Sequence, residues 1–139
     1  MKSRLIQIQR ENLYLAWKDA MPYLEASLKL TAEYRVDDIY ELLKSGQLTL
    51  WMLYNDEKKK PFGAAVTEIT EHPQMTLLVI FLLSADDFDD VKSLFAPFIE
   101  YAKERGVGAI ECYGRFGLEK LLDDLGFKKS YIVMRYDVN

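Results

Sequence analysis

Four aspartates crowd a short stretch whose place in the chain is typical of an anion-binding turn. The stretch LLSADDFDDVKSLF runs from Leu82 to Phe95, and its acidic residues are Asp86, Asp87, Asp89 and Asp90. It joins an apolar run that predicts a strand to an apolar pattern that predicts a helix. Many α/β proteins hold a phosphate at such a junction with bare backbone N–H groups and glycine. This stretch has no glycine, and its carboxylates repel anions. Residues 84–91 are called the acidic turn below.

Three interpretations of the acidic turn differ in the chemistry that they require. The simplest is helix capping, because aspartate is favoured at a helix N-terminus and complements the helix dipole there. A divalent-cation site is the second, but the order Asp-Asp-Phe-Asp-Asp lacks the alternating ligands and the glycine of a calcium loop. An acidic patch for a protein partner, formed by Asp87 and Asp90, is the third. The sequence favours capping and leaves the partner patch open.

Few other residues offer acid–base or metal chemistry. Glu68 and Glu111 lie on predicted strands, and either is a candidate general base if burial raises its pKa; a surface position is the simpler interpretation of both. His72 is the only histidine and precedes a proline in a predicted turn. With that histidine and one cysteine, Cys112, a zinc site of the usual ligand types cannot be assembled within one chain. We predict no metal site.

Arg115 is the basic residue best placed for binding. It lies between Gly114 and Gly117, on the carboxyl side of a predicted strand. Ligand groups in α/β sheets tend to gather at that side. Anion binding, a subunit contact and a local ion pair remain open for it.

Composition narrows the class of protein. The 139 residues are about half apolar, which suits one folded domain, 1–139, and argues against disorder. The longest apolar run, Met75 to Leu83, is far shorter than the roughly 20 residues that span a bilayer. The N-terminus does not resemble a signal peptide, and a single cysteine fits a reducing compartment, so a cytoplasmic location is expected. A net charge of −4 argues against nucleic-acid binding.

The apolar periodicity predicts the elements that must position these residues. Alternation at Ile6 and Ile8 favours a short strand. Helical spacing then runs from Leu13 to Leu28, where Pro22 predicts a kink or two short helices. A second helix is expected from Asp37 to about Ser45, ended by Gly46. Three successive strands follow with short loops, as in an antiparallel meander; their expected bounds are Leu48 to Tyr54, Phe62 to Thr70 and Met75 to Leu83.

The second half of the chain alternates helix and strand. One long helix is expected from Val91 to Ala102, bent by Pro97 and stopped by Gly106. A strand from Ala109 to Tyr113, a short helix from Leu118 to Leu125 and a last strand from Tyr131 to Asp137 complete the pattern. The predicted order is β-αα-βββ-α-β-α-β, an α/β fold with helices on both faces of a mixed sheet.

This order, with LEKLLDDLGF directly before the last strand, resembles the GNAT superfamily of acyl-CoA-dependent N-acetyltransferases. The segment FIEYAKERGVGAIE also looks like that family. More narrowly, WMLYNDEKKKPFGAAVTEI and IECYGRFGLEKLLDDLGFKKSYIVM are similar to GNAT-like proteins encoded in tailed-phage genomes. Those proteins often lie among virion structural genes, and the step from Gly114 to Gly117 carries the likeness.

The resemblance implies a site for CoA, and the chain departs from it. In the family, a turn like Arg/Gln-x-x-Gly-x-Gly/Ala holds the CoA pyrophosphate with its N–H groups. In the segment that starts at Ser84, the basic or amide position corresponds to Asp86, and the small residues correspond to Asp89 and Val91. None matches. Each like-charge pair between an aspartate and the pyrophosphate costs on the order of 1–3 kcal/mol. The usual mode of CoA binding is therefore not expected.

The family's catalytic tyrosine is missing as well. Its position on the short helix corresponds to Leu122, which cannot donate a proton to the departing thiolate. The asparagine often found at the start of that helix corresponds to Arg115. Tyr113 and Tyr131 are possible substitutes for the acid, although strand tyrosines more often serve packing.

The sequence therefore predicts a GNAT-like fold without acetyl-CoA chemistry, which acts by binding a protein partner. The narrower likeness suggests a phage virion or assembly component, located in the host cytoplasm or the virion, whose partner is another virion protein or itself. No cofactor, nucleic acid or membrane is expected. Binding would involve the acidic turn, Arg115, and exposed aromatics such as Trp51 or Tyr34. The alternative is an N-acyltransferase with an atypical acetyl-CoA site that uses Glu68, Glu111 and Tyr113. A third hypothesis is a small-molecule or peptide sensor that uses a gap between the central strands.

Overall fold

A computed structural model describes residues 3–29, 31–113 and 118–139 of the chain. Within them five strands and five α-helices form, with a short 3₁₀ turn before the first helix. The strands are β1 (Ser3–Ile8), β2 (Thr49–Asn55), β3 (Lys60–Glu71), β4 (Thr76–Ala85) and β5 (Ala109–Cys112). The helices are α1 (Leu13–Leu28), α2 (Val36–Ser45), α3 (Asp89–Lys92), α4 (Phe95–Glu104) and α5 (Glu119–Asp124).

The strands form one mixed sheet in the order β1-β2-β3-β4-β5. The first four pair antiparallel, so β2 to β4 form the expected meander, and β5 pairs parallel to β4. Strand β4 has a partner on each side and is mostly buried on both faces, as its unbroken apolar run predicts. The predicted α/β class is confirmed.

Two apolar layers cover opposite faces of the sheet. Residues that alternate along β2 divide between them: Trp51 and Leu53 pack with α3, α4 and α5, whereas Leu50 and Met52 pack with α1 and α2. This alternation is the direct consequence of the period of two along a strand. The expected arrangement of helices on both faces is therefore present.

Two caps fix the ends of α2. Asp38 accepts a hydrogen bond from the N–H of Arg35 at 2.9 Å, which caps the start of α2. Gly46 ends α2 with a φ of +87°, a conformation that glycine adopts without steric cost. The helix α1 runs as one element through Pro22, so the alternative of two short helices is wrong.

The predicted long helix is wrong as a single element. The chain forms a single turn, α3, then Ser93 and Leu94, and only then α4. Pro97 lies in the first turn of α4, where its missing N–H removes no helical bond, so it bends nothing. Val91 and Leu94 are still buried in the core, which explains why the apolar spacing continues across the break.

The predicted last strand, Tyr131 to Asp137, is also wrong in this structure. Residues 128–139 form no helix or strand, and six large apolar side chains among them are strongly exposed. A strand requires a paired edge as well as β-forming residues, and none of the described strands pairs with this segment. We call residues 128–139 the C-terminal tail.

Candidate functional site

Four backbone N–H groups of the acidic turn donate to acceptors within the chain, those of Asp86, Asp89, Asp90 and Val91. The N–H of Asp86 donates to the carbonyl of Phe62 at 2.8 Å, which joins the turn to the start of β3. The N–H of Asp89 donates to Oδ1 of Asp87 at 2.9 Å. The N–H groups of Asp90 and Val91 donate to the carbonyls of Asp87 and Phe88. These four donors are therefore already used, and an anion would have to displace their acceptors.

The side chain of Asp86 is held by a partner from α1. The hydroxyl of Tyr23 donates to Oδ2 of Asp86 at 2.9 Å. Burial, together with this hydrogen bond and the negative charge of Asp86, raises the pKa of Tyr23 to about 12. Tyr23 therefore stays protonated as the donor across the physiological range. A carboxylate–phenol pair therefore forms at Asp86, where the resemblance predicts the family's basic or amide side chain.

Close packing at Gly63 fixes where the acidic turn begins. A Cβ at Gly63 would lie 2.6 Å from the carbonyl oxygen of Ser84, which is closer than real Cβ atoms approach. The absence of a side chain lets β3 pass the end of β4 tightly. The side chains of the acidic turn point in different directions. Val91 is buried in the core, whereas the side chains of the four aspartates lie at the surface.

The structure places Leu122 in an apolar environment. It lies on α5 and packs with Leu121, Leu125 and Phe127 against the sheet. The cavity beside these side chains measures about 20 Å³ and is lined by apolar residues throughout. A cavity of that size holds about one water molecule, which is too little for an acyl group. Leu122 serves packing in this position.

Strands β4 and β5 separate beyond Ile80. Their pairing runs from Leu77 opposite Ala109 to Ile80 opposite Cys112, and the N–H of Tyr113 reaches the carbonyl of Ile80 at 3.3 Å. Strand β4 continues to Ala85, and no described strand pairs with that part of its edge. An extra residue at Phe81 shifts the register against β3. The gap beyond Ile80 is called the open edge of β4.

The structure brings Glu68, Glu111 and Tyr113 together beside this open edge. Glu68 is opposite Val79 on β4, and Val79 is opposite Glu111 on β5, so both carboxylates lie on one face with Val79 between them. Tyr113 follows two residues after Glu111. Burial raises the pKa of Tyr113, and the negative charges of Glu111 and then Glu68 add to this effect.

Aromatic rings extend this cluster. Phe81 packs edge-on against Tyr113 with 6.0 Å between ring centroids. Tyr34, from the connection between α1 and α2, packs on Phe81 at 5.2 Å. Tyr131 of the C-terminal tail also contributes to the raised pKa of Tyr113. A protonated tyrosine beside carboxylates and aromatic faces can donate a hydrogen bond and can bind a cationic group.

The other predicted site residues have mixed outcomes. Trp51 is a core residue: it is 4% exposed, and its Nε1–H donates to Thr67 Oγ1 at 2.9 Å, so its expected exposure is wrong. Tyr34 does lie at the surface. Arg115, with Gly114 and Gly117, lies outside the described residues. Cys112 is half-buried against the apolar layer of α4.

Sequence reasoning missed Tyr23, Phe81 and Gly63. Tyr23 and Asp86 are separated by 63 residues, so no local pattern links them. Gly63 follows Pro61 and Phe62 at the start of β3, and a glycine in a strand does indicate a close backbone approach. This glycine was the one signal in the sequence for the three residues that were missed.

No group of three or more metal-ligating side chains is placed to hold an ion within residues 3–29, 31–113 and 118–139. In the same part of the chain, no helix is both long and apolar enough to cross a membrane.

Comparison with known proteins finds similar folds among solved structures. No protein-family model matches the chain, and no curated protein matches it in sequence. Among solved structures, an aminoglycoside acetyltransferase from an uncultured soil metagenomic sample superposes with a TM-score of 0.72 at 13% identity, over 99% of this chain and 97% of that one. A Trypanosoma brucei acetyltransferase gives 0.67 at 14% identity, over 98% and 99% of the two chains.

A third similar structure is glucosamine-6-phosphate N-acetyltransferase from Arabidopsis thaliana, with a TM-score of 0.68 at 11% identity over the full length of both chains. Identities this low describe the fold and not the reaction. The mixed sheet, the position of the helices and these superpositions agree: the chain has the fold of the GNAT superfamily of N-acetyltransferases.

Proposed function

We propose that this protein is a GNAT-fold protein that does not use CoA and that acts by binding another protein. The observation that carries the proposal is the bonded state of the acidic turn, where the N–H groups of Asp86, Asp89, Asp90 and Val91 all have acceptors in the chain. The family's donor site needs such groups free to meet a pyrophosphate.

Charge and shape support the same conclusion. Four carboxylates surround the turn at the surface, and α3 is a single helical turn, so its dipole offers little compensation to an anion. The nearest lysine on that helix, Lys92, is paired with Asp124 of α5 at 2.9 Å. Leu122, at the position of the family's tyrosine, packs into the apolar layer.

The binding surface that we propose includes the exposed Asp87 and Asp90, together with the rings of Tyr34 and Tyr113. Exposed carboxylates favour a partner with basic side chains, and exposed aromatic rings can also bind cationic groups. Arg115 remains a predicted member of this surface. The virion role rests only on the short stretches that are similar to phage proteins, so it stays a prediction, as does a cytoplasmic location.

An N-acyltransferase with an atypical donor site is the second candidate. It is favoured by the cluster of Glu68, Glu111 and Tyr113 at the open edge of β4, and by the acetyltransferases among the similar structures. In that case one of the glutamates is the base that deprotonates an amine, and Tyr113 is the acid.

Thermal stability with acetyl-CoA separates the two candidates. The proposal expects the same Tm with and without a large excess of acetyl-CoA. The enzyme candidate expects a rise of several degrees, because a ligand at 100 times its Kd adds about 2.7 kcal/mol of stability. It also expects Glu111→Gln to abolish acetyl transfer to an amine while the Tm is unchanged.

A further inference from the structure

A pocket of about 140 Å³ opens at the start of β2, where β1, α1 and the end of α2 meet. Its lining includes apolar side chains of the layer that α1 and α2 form on the sheet: Ile8, Leu13, Leu43, Leu48 and Leu50. An engineered apolar cavity of about 150 Å³ holds benzene. The pocket therefore has room for an apolar group of about that size.

Arg10 adds a positive charge to the lining of this pocket. Its Nε–H donates to the carbonyl of Lys44 at 3.1 Å, which satisfies a backbone carbonyl at the end of α2. The side chain of Arg10 also lies against Gly46, where a Cβ would be 3.2 Å from Nη1. The glycine that ends α2 thus leaves space for the guanidinium.

The Nη1 and Nη2 groups of Arg10 keep donors for a ligand. Within residues 3–29, 31–113 and 118–139, the carbonyl of Lys44 is the one acceptor of the guanidinium, and no carboxylate lies within ion-pair distance of it. The N–H groups of Nη1 and Nη2 match the two oxygens of a carboxylate. The end of α2 carries about half a negative charge, which the guanidinium and Lys44 in the last turn together outweigh.

We propose that this pocket binds a monocarboxylate, whose apolar part fills the pocket while Arg10 holds the carboxylate. A free acid and the C-terminal residue of a chain that ends in leucine or a similar residue present the same two groups. The site goes beyond the proposed function, because it lies at the start of β2. The acidic turn bonds instead to Phe62 at the start of β3, which is beside the opposite end of β2.

A titration followed by NMR of the backbone amides tests this site. Isocaproate is added to the full chain, and isocaproamide, which has the same apolar part without the charge, is the matched control ligand. We expect saturable shifts of the amides of Arg10, Gly46 and Thr49 with the acid and no saturable shifts with the amide. Equal responses to the two compounds, or no saturable shift with the acid at millimolar concentration, would overturn the inference.

Two substitutions of arginine test the role of the guanidinium. Arg10→Gln should weaken isocaproate binding by about tenfold or more, because a charge-assisted pair is lost. Arg4→Gln is the matched control, since Arg4 pairs with Asp56 at 2.8 Å and lies outside the pocket lining, and it should leave the affinity unchanged. An Arg10→Gln variant that binds as tightly as the wild type would contradict the proposal. The comparison of acid and amide on the wild type holds even if Arg10→Gln does not fold.

Ile8→Phe tests the apolar part of the pocket without changing the guanidinium. Its larger side chain should occupy part of the space and weaken isocaproate binding, and an unchanged affinity would argue against this pocket as the site. N-acetyl-leucine then separates the two sources of the ligand. Binding that is tighter than that of isocaproate supports the end of a protein chain, and weaker binding supports a free acid.

Discussion

At the scale of single residues, the acidic turn is defined by partners that are distant in sequence. Tyr23 comes from α1, Phe62 and Gly63 come from β3, and all three lie against residues 84–86. Asp86 therefore has a structural role in addition to its charge. The sequence predicted that the aspartates cap a helix; Oδ1 of Asp87 does accept from the N–H of Asp89, but the N-cap residue of α3 is Phe88, whose side chain forms no capping bond. Their tertiary partners could not be predicted, because no periodicity reports contacts over such separations.

Replacing Tyr23 with phenylalanine tests the bond to Asp86. The loss of one hydrogen bond near the surface should cost about 0.5–1.5 kcal/mol of unfolding free energy. Urea denaturation of Tyr23→Phe beside the wild type measures this cost. An unchanged midpoint would mean that the Tyr23–Asp86 contact contributes nothing to stability.

The same pair gives a pH dependence whose sign is fixed. The pKa of Tyr23 is raised from its ordinary 10.0 to about 12, so the folded state holds the phenol proton more tightly than the unfolded state. The resulting stabilisation is complete below pH 10 and is lost as the pH rises from 10 through 12. The difference in stability between wild type and Tyr23→Phe should therefore shrink over that interval, and a difference that grows there would contradict the assignment.

Two glycine substitutions test the packing at the start of the turn. Gly63→Ala places a Cβ 2.6 Å from a backbone oxygen, which cannot move aside, so a loss on the order of 1–3 kcal/mol is expected. Gly108→Ala is the matched control, because its Cβ would meet the flexible end of Met75 at 3.1 Å. Thermal unfolding of both variants should show a large effect only for Gly63→Ala; equal effects would argue against the close approach.

At the scale of elements, the apolar periodicity correctly predicted those bounds of strands that burial in the core determines. The bounds of β2 to β4 lie within two residues of the predicted ones, because their runs of β-forming residues are buried on the sheet. The break between α3 and α4 was not visible, because Val91, Leu94 and Phe98 are all buried on both sides of it. The tail shows the converse: residues 131–137 have β-forming side chains, and no described strand offers them a paired edge.

Removing the charges of the acidic turn tests whether charge repulsion or the bonded backbone prevents anion binding. Changing Asp86, Asp87, Asp89 and Asp90 together to asparagine removes four negative charges and keeps a side-chain oxygen at each position. The N–H groups of residues 86 and 91 would still donate to the same backbone carbonyls. We expect no acetyl-CoA binding by isothermal titration calorimetry. Binding by the asparagine variant alone would show that repulsion, and not the bonded backbone, excludes the ligand.

At the scale of the whole molecule, fold and chemistry must be argued separately. The order of elements predicted the GNAT-like fold, and the superpositions with acetyltransferases agree with it. The same fold carries an acidic turn with four bonded N–H groups, and it packs Leu122 into the apolar layer at the position where the resemblance predicts the family's tyrosine. A fold shared at 11–14% identity does not by itself establish a shared reaction.

The central claim is that the chain cannot hold the pyrophosphate of CoA at its acidic turn. The most direct measurement is the Tm of the wild-type protein over a titration of acetyl-CoA up to millimolar concentration. We expect a Tm that does not change over the titration. A Tm that climbs by several degrees with ligand concentration, with acetyl-CoA found against Ser84 to Val91 in a crystal of the complex, would contradict it.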